Sequence, residues 1–227
     1  MGAEAGELTD AEIRHLLKEH CYGSKTDIKL KCLNLPVCPV CNIHCNFCKK
    51  GFGKRKDLIL KPTEAVEVLD RALKLFPGII SVSIVGPGDT LATQHAFETF
   101  ELINEKYPEL EKHLTTNGLM LKENAERIAR ISIKTVTVNV NAVDADILQD
   151  IYSKIIYNGY PIKDKDAALW LLLAQAAGIK RLSDLGVNVN ISTVFIPGIN
   201  DDNIGEVARV TSKLGASTIS IYPVFDF

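Results

Sequence analysis

The sequence predicts an α/β fold, a partial (β/α)6 barrel, from three observations. Short β-branched runs alternate with helical spacings from residue 31 onward, one parity of each run is polar, and the cysteines gather around the loop after the first run. The runs are Cys32–Val37, Ile79–Val85, Lys112–Asn117, Lys134–Asn141, Asn188–Ile196 and Thr218–Tyr222. Between them, apolar residues recur at helical spacing. They are Val66, Leu69 and Leu73; Phe97, Phe100 and Ile103; Ala125, Ile128 and Ala129; Ile147, Leu148 and Ile151; Leu171, Ala174 and Ala177; and Ile204, Ala208 and Val210. Pro62 opens one helix, Phe76-Pro77-Gly78 closes it, and Pro197-Gly198-Ile199-Asn200-Asp201 leads into the last. Residues 1–30 read as an N-terminal extension with one helix, Asp10–His20, and residues 31–227 as the barrel domain.

Alternate residues of a barrel strand face the helices and the lumen. The helix-facing set is apolar: Leu33, Leu35 and Val37; Ile80, Val82 and Ile84; Val136, Val138 and Val140; Val189 and Ile191; Ile219 and Ile221. The opposite parity reads Asn34; Ser81 and Ser83; His113, Thr115 and Asn117; Thr135, Thr137, Asn139 and Asn141; Asn188, Asn190 and Ser192; Ser220 and Tyr222. A sealed barrel core is rich in Val, Ile and Leu. Buried polar groups need partners, so this lumen is expected to hold a polar ligand and water. The alternative is a flat, doubly wound sheet with one half-exposed face.

Composition narrows the function. Hydrophobic residues are 46% and charged residues 24%, which excludes a disordered chain. A net charge of −2 argues against a nucleic-acid coat or a polybasic membrane binder. The start is acidic and carries no targeting segment, and the apolar run at 167–174 is too short to span a bilayer. These features point to a cytoplasmic protein whose cysteines hold metal or do redox work.

The six cysteines are Cys21, Cys32, Cys38, Cys41, Cys45 and Cys48, and none follows. Cys41, Cys45 and Cys48 form C-x3-C-x2-C in the loop after the first strand, at the barrel face where active sites are built. Three thiolates so close suit a 4Fe–4S cluster with one iron open to a ligand. Zinc fits poorly, because the pairs Cys38/Cys41 and Cys45/Cys48 lie too close together. A four-cysteine electron-transfer cluster that includes Cys38, and a chance grouping of buried cysteines, stay open. Cys32 and Cys38 stand about 20 Å apart along extended chain, so they cannot serve one cluster. Cys32 reads as a small buried residue.

The triad, with the segments around it, resembles the radical SAM superfamily, and within it the NifB-type subgroup of nitrogenase cofactor maturases. The resemblance runs from about residue 20 onward. It includes Leu35-Pro36-Val37, Cys41–Cys48 with Phe47, Gly86-Pro87-Gly88-Asp89, Thr115-Thr116-Asn117-Gly118-Leu119, residues 136–144, and Ile196-Pro197-Gly198-Ile199-Asn200. It implies a 4Fe–4S cluster on Cys41, Cys45 and Cys48 whose open iron chelates S-adenosylmethionine (SAM). Reduction of that cluster would cleave SAM to a 5′-deoxyadenosyl radical. It also implies a site in which Gly86, Pro87, Gly88 and Asp89 receive the methionine amine and Phe47 lies beside the adenine. Asn117, Thr137, Asn139 and Asn141 would serve the ribose or carboxylate, and Phe195 and Pro197 would flank the adenine. A ferredoxin- or flavodoxin-type protein would supply electrons, and the substrate or partner would be an anionic cluster or a cofactor-carrier protein.

The departures from the subgroup concern its further cluster ligands. Cys21 matches one upstream cysteine, but the histidine expected next falls at Asp27 or Ile28. The Glu-x-Arg-Pro stretch with its own cysteine is missing from residues 49–60, and His113 stands where a cysteine precedes Thr-Asn-Gly. The sequence stops before the C-terminal cysteine pair. Cys21, Cys38 and His113 remain candidate ligands of an auxiliary iron–sulfur cluster. Lys49, Lys50, Lys54, Arg55 and Lys56 form either a solvated loop or a lid that attracts an anionic substrate. Three functions are therefore weighed: iron–sulfur cofactor assembly, radical chemistry on an organic or peptide substrate, and a non-catalytic iron–sulfur scaffold.

Overall fold

The computed structural model describes residues 8–18, 31–48, 53–54 and 59–224. Cys21, and Lys49, Lys50, Arg55 and Lys56 of the basic loop, lie outside the described residues. The chain opens with α1 (Asp10–His15) and β1 (Leu17–Lys18), followed by β2 (Lys31–Pro36), β3 (Val40–Cys41), β4 (Ile43–Cys45) and β5 (Gly53–Lys54). Next come α2 (Pro62–Leu75), β6 (Ile79–Val85), α3 (His95–Lys106), β7 (Glu111–Thr116), α4 (Leu121–Arg130) and β8 (Thr135–Asn139). The last part holds α5 (Ala145–Ile151), β9 (Tyr152–Tyr157), β10 (Tyr160–Lys163), α6 (Asp164–Asp184), β11 (Asn188–Phe195), a short 3-10 turn, α7 (Ile204–Lys213) and β12 (Thr218–Pro223).

The main sheet has the order β1-β2-β6-β7-β8-β11-β12. From β2 to β12 the pairings are parallel, and each strand lies beside its successor in the chain. With right-handed crossovers, an order that never reverses puts every helix on one face. A doubly wound sheet needs a reversal, so the partial barrel is the architecture adopted. On the helix-facing side, Leu33, Leu35, Val82, Ile84, Leu114, Val136, Val138 and Val189 are fully buried. Each such side chain contributes roughly 1.5–3 kcal/mol by leaving water. The helices bury matching stripes, such as Ala65, Val68, Leu69 and Ala72 on α2. Two members of the apolar set are not covered: Ile80 is 40% exposed and Ile221 is 50% exposed. Ile221 lies on β12, which among the described residues pairs with β11 alone.

Three local features differ from the sequence reading. The first helix ends at His15, and the chain turns into β1, antiparallel to β2. Ile13 of α1 is buried and Asp10 pairs with Arg71 of α2, so this part of the extension joins the main core. Residues 152–163 form a hairpin, with Asn158 and Gly159 at φ 50 and 83°. That pair of positive φ values is the signature of a two-residue hairpin turn, which Asn-Gly favours. The hairpin matters because β9 also pairs with β4, giving a second sheet in the order β10-β9-β4 that carries part of the cysteine loop.

Candidate active site

The loop of the three cysteines is tied down on both flanks. Along β4 and β9, Ile43 stands opposite Ile155, His44 opposite Lys154 and Cys45 opposite Tyr152. The Ile156 amide donates to the Asn42 carbonyl at 2.8 Å, and the Asn46 amide donates to the Ile151 carbonyl at 2.9 Å. The Asn46 side chain donates to the Asp150 carbonyl, and His44 Nδ1 is hydrogen-bonded to Ser153 Oγ. Cys41, Cys45 and Cys48 are half-buried in this frame. Cys41 Sγ lies 3.4 Å from the Ile43 carbonyl. Among the described residues, no three His, Cys, Asp or Glu side chains already converge as a metal cage. The donor chemistry nonetheless fits an iron–sulfur cluster: three half-exposed thiols on one short, backbone-pinned loop at the C-terminal mouth of the barrel.

The second loop packs directly on the first. The Gly88 amide donates to the Cys38 carbonyl at 2.8 Å, and the Asp89 amide donates to the Val40 carbonyl at 2.9 Å. A Cβ on Gly88 would stand 2.1 Å from the Val40 carbonyl oxygen, so the approach requires glycine. The Asp89 carboxylate, expected as an acceptor for the SAM ammonium, is held by donors of the protein itself. Asp89 is 5% exposed, and its carboxylate accepts from the Leu91 amide, the Asn117 amide and the Thr116 hydroxyl. Burial raises its pKa, and those three donors pull it back. It clamps its loop to the end of β7.

Asn117 makes three further contacts within the protein. Its side-chain amide donates to Asn42 Oδ1 at 2.7 Å, and its own Oδ1 accepts from the Leu119 amide at 2.9 Å. Its backbone carbonyl accepts from Gln175 Nε2 at 2.7 Å. It thus joins the cysteine loop, the Gly-Pro-Gly-Asp loop and α6. Asn141 is a second such junction, 1% exposed. It donates to the Tyr152 hydroxyl at 2.7 Å, accepts from the Val194 amide at 2.9 Å, and its carbonyl accepts from Asn200. Burial and the neighbouring Cys45 thiol push the Tyr152 phenol well up, against the hydrogen bond from Asn141. These two asparagines register the loops.

Thr137 is different. It is 2% exposed on the lumen parity of β8, between Thr115 and Asn190 in register, and its hydroxyl has no hydrogen-bond partner among the described residues. Asn139 and Ser192 stand opposite each other one layer nearer the mouth. Phe47 packs partly buried on the apolar cluster under the cysteine loop, Phe195 is half-buried, and Pro197 is exposed.

The auxiliary candidates separate. Cys38 is fully buried within the apolar core, and burial first, then Asp89 and Cys41, pushes its thiol far above the ordinary range. Burial sets Cys38 apart from the three half-buried thiols of the loop. Cys32 is buried and disulfide-bonded, which departs from its reading as a lone small residue. His113 faces the lumen in register with Ser83 and Thr135, with Nε2 3.7 Å from Glu111 Oε2. Burial holds its pKa below the ordinary imidazole range.

The family model for the radical SAM superfamily matches residues 35–211. The FeMo cofactor biosynthesis protein NifB of Methanocaldococcus infernus is 38% identical over 208 residues, covering 88% of this chain and 69% of that relative. The chain belongs to the radical SAM superfamily, in its NifB-like branch. NifB of Chlorobaculum tepidum is 36% identical over 219 residues, covering 92% of this chain. The chain spans 52% of that relative's length. Two solved structures with SAM bound share the fold. Streptococcus suis SuiB superposes with a TM-score of 0.59 at 18% identity, covering 84% of this chain and 38% of its own. AdoMet-bound anSMEcpe superposes with a TM-score of 0.60 at 20% identity, covering 86% and 51%. The cofactors of this superfamily are a 4Fe–4S cluster and SAM, and a reductant is required. No helix among the described residues is long and apolar enough to cross a membrane.

The residues that the sequence reading did not single out are Asn42, Tyr152 and Gln175. Asn42 lies inside the cysteine motif itself. Tyr152 follows from the Asn158-Gly159 turn signal, which places a strand just before it. Gln175 is the polar residue on the otherwise apolar stripe Leu171, Gln175, Gly178, Leu182 of α6.

Proposed function

We propose that this chain binds a 4Fe–4S cluster through Cys41, Cys45 and Cys48 and uses it to cleave SAM reductively, in the service of iron–sulfur cofactor assembly of the NifB kind. The cluster, when bound and reduced, supplies the electron that breaks the sulfonium bond. The observation that carries the reading is the packing of the Gly86–Asp89 loop on the cysteine loop through Gly88 and Asp89. This joins the segment proposed for the methionine amine to the stretch that leads into Cys41. With the Asp89 carboxylate turned into its own loop, the backbone of Gly86 and Pro87 is left as the acceptor for an ammonium. Thr137, with its buried and unpartnered hydroxyl, fits a ligand hydroxyl or carboxylate deeper in the lumen. The hydroxyl and amide lining offers hydrogen bonds to a polar ligand. Electrons would come from a ferredoxin- or flavodoxin-type protein in the cytoplasm.

One observation favours a second reading, radical chemistry on an organic or peptide substrate. The lumen layer Asn34, Ser83, His113 and Thr135 is neutral and hydroxyl- or amide-rich, and Cys38 is withdrawn into the core. Counting iron after anaerobic reconstitution separates the two. Cofactor assembly predicts more than about four irons per chain, whereas one radical SAM cluster accounts for about four. A loaded protein that holds about four irons, and whose SAM cleavage rises only with an organic substrate, would decide for the second.

A further inference from the structure

Helix α6 buries Ala167, Ala168, Leu171, Gln175, Gly178, Ile179 and Leu182. Gln175 stands on the stripe of that face, 2% exposed. Its amide nitrogen donates to two backbone carbonyls, Asn117 at 2.7 Å and Asn139 at 2.9 Å. These carbonyls terminate adjacent strands. The β7–β8 pairing runs from His113↔Thr135 to Thr116↔Val138 and ends there. Past that point the ladder no longer holds the two strand ends together, and the Gln175 amide spans them instead.

The chemistry of the position is narrow. Two carbonyls can be bridged only by a group with two donors, which a primary amide supplies and a carboxylate, thioether or hydrocarbon does not. Gln175 Oε1 is buried without a partner among the described residues, so the donors settle which way the amide points. Leucine here would complete the apolar stripe and leave no orphan oxygen. What it could not supply is the pair of donors. The contact is also close: a Cβ on Gly118 would stand 2.9 Å from Gln175 Cγ, and Gly118 has φ 84°. Both the bare Cα and the left-handed turn at Gly118 let the helix side chain reach the strand ends.

Asn117 carries the effect to the site. Its amide N–H is on Asp89 and its side chain is on Asn42, between Cys41 and Cys45. We infer that Gln175 is a positioning residue for SAM, fixing the Asn117 and Asn139 strand ends and, through Asn117, the relation between the cysteine loop and the Gly-Pro-Gly-Asp loop. This rests on the SAM-binding reading above.

The test uses Gln175→Met, close in size and without donors, in anaerobically reconstituted full-length protein. Iron content and thermal melting establish loading and folding. Equilibrium SAM binding, and the change that SAM causes in the EPR spectrum of the reduced cluster, are the readouts. The expected result is near wild-type iron, SAM affinity weakened on the order of tenfold, and a smaller spectral change, with KM for SAM rising more than kcat falls. If Gln175→Met does not fold, Gln175→Asn takes its place, being too short to span both carbonyls, with the same expectation. A folded, loaded variant that binds SAM within twofold of wild type overturns the inference, whatever its kcat. Absence of SAM binding by the loaded wild-type protein would instead overturn the functional reading on which it rests.

Discussion

Asn117 donates its side-chain amide to Asn42 Oδ1 at 2.7 Å, across seventy-five positions of sequence. That one bond joins the end of β7 to the middle of the cysteine motif. Asn117→Ala removes it and leaves the buried Asn42 acceptor unpaired, which costs about 1–3 kcal/mol. Chemical denaturation of the apo protein should show that loss, and reconstitution should give a protein with less iron. Unchanged stability and iron would mean that the loop is held by its β4–β9 pairing alone.

Burial divides the cysteines by role. Alanine at Cys41, Cys45 or Cys48 should remove the iron–sulfur absorbance of that one cluster, about four irons per chain, because three thiolates are its full protein ligand set. Cys38→Ala should keep it and lose stability on the order of 1 kcal/mol from the small cavity. Loss of the cluster in Cys38→Ala would restore Cys38 as a ligand.

Two glycines offer a matched pair. Gly88→Ala drives a methyl onto the Val40 carbonyl, backbone against backbone, and should cost about 1–3 kcal/mol or more by overpacking, with impaired cluster loading. Gly205→Ala places its methyl in open space on α7 and should stabilise by about 0.4–1 kcal/mol through the unfolded chain. Melting temperatures of the two variants test the opposite signs.

Thr137→Val separates folding from binding. The wild-type hydroxyl is buried and unpartnered, so its removal should leave the apo protein equally stable or about 1 kcal/mol more stable. SAM affinity of the loaded protein should nevertheless fall. A variant that loses stability and binds SAM normally would show that the hydroxyl serves packing.

Much of this was legible in the sequence, and the rest was hidden for physical reasons. Strand parity is local, so Ser81, Ser83, Thr137 and Asn190 could be assigned to the lumen from alternation, and their burial agrees. That Cys41, Cys45 and Cys48 share one loop after the first strand could be read from spacing. The roles of Asp89, Asn117 and Asn141 were not legible, because a carboxylate or amide looks alike whether it meets a ligand or a distant backbone amide. Asp89 is satisfied by residues 27 and 28 positions later, and Asn141 by a residue 53 positions later. The hairpin at 152–163 carried its signal in Asn158-Gly159, but its pairing with β4 is a long-range contact that no local period announces. Cys38 shared lumen parity with Cys32 by count, yet the chain leaves β2 after Pro36 and turns Cys38 into the core.

The central claim is that the three-cysteine loop makes this chain a reductive SAM-cleaving enzyme. The most direct measurement is 5′-deoxyadenosine release by the anaerobically reconstituted protein under chemical reduction, beside its Cys41→Ala, Cys45→Ala and Cys48→Ala variants. The account predicts release by the wild-type protein and none above background from any of the three. A wild-type protein with a fully loaded cluster that binds SAM and releases no 5′-deoxyadenosine on reduction would contradict it.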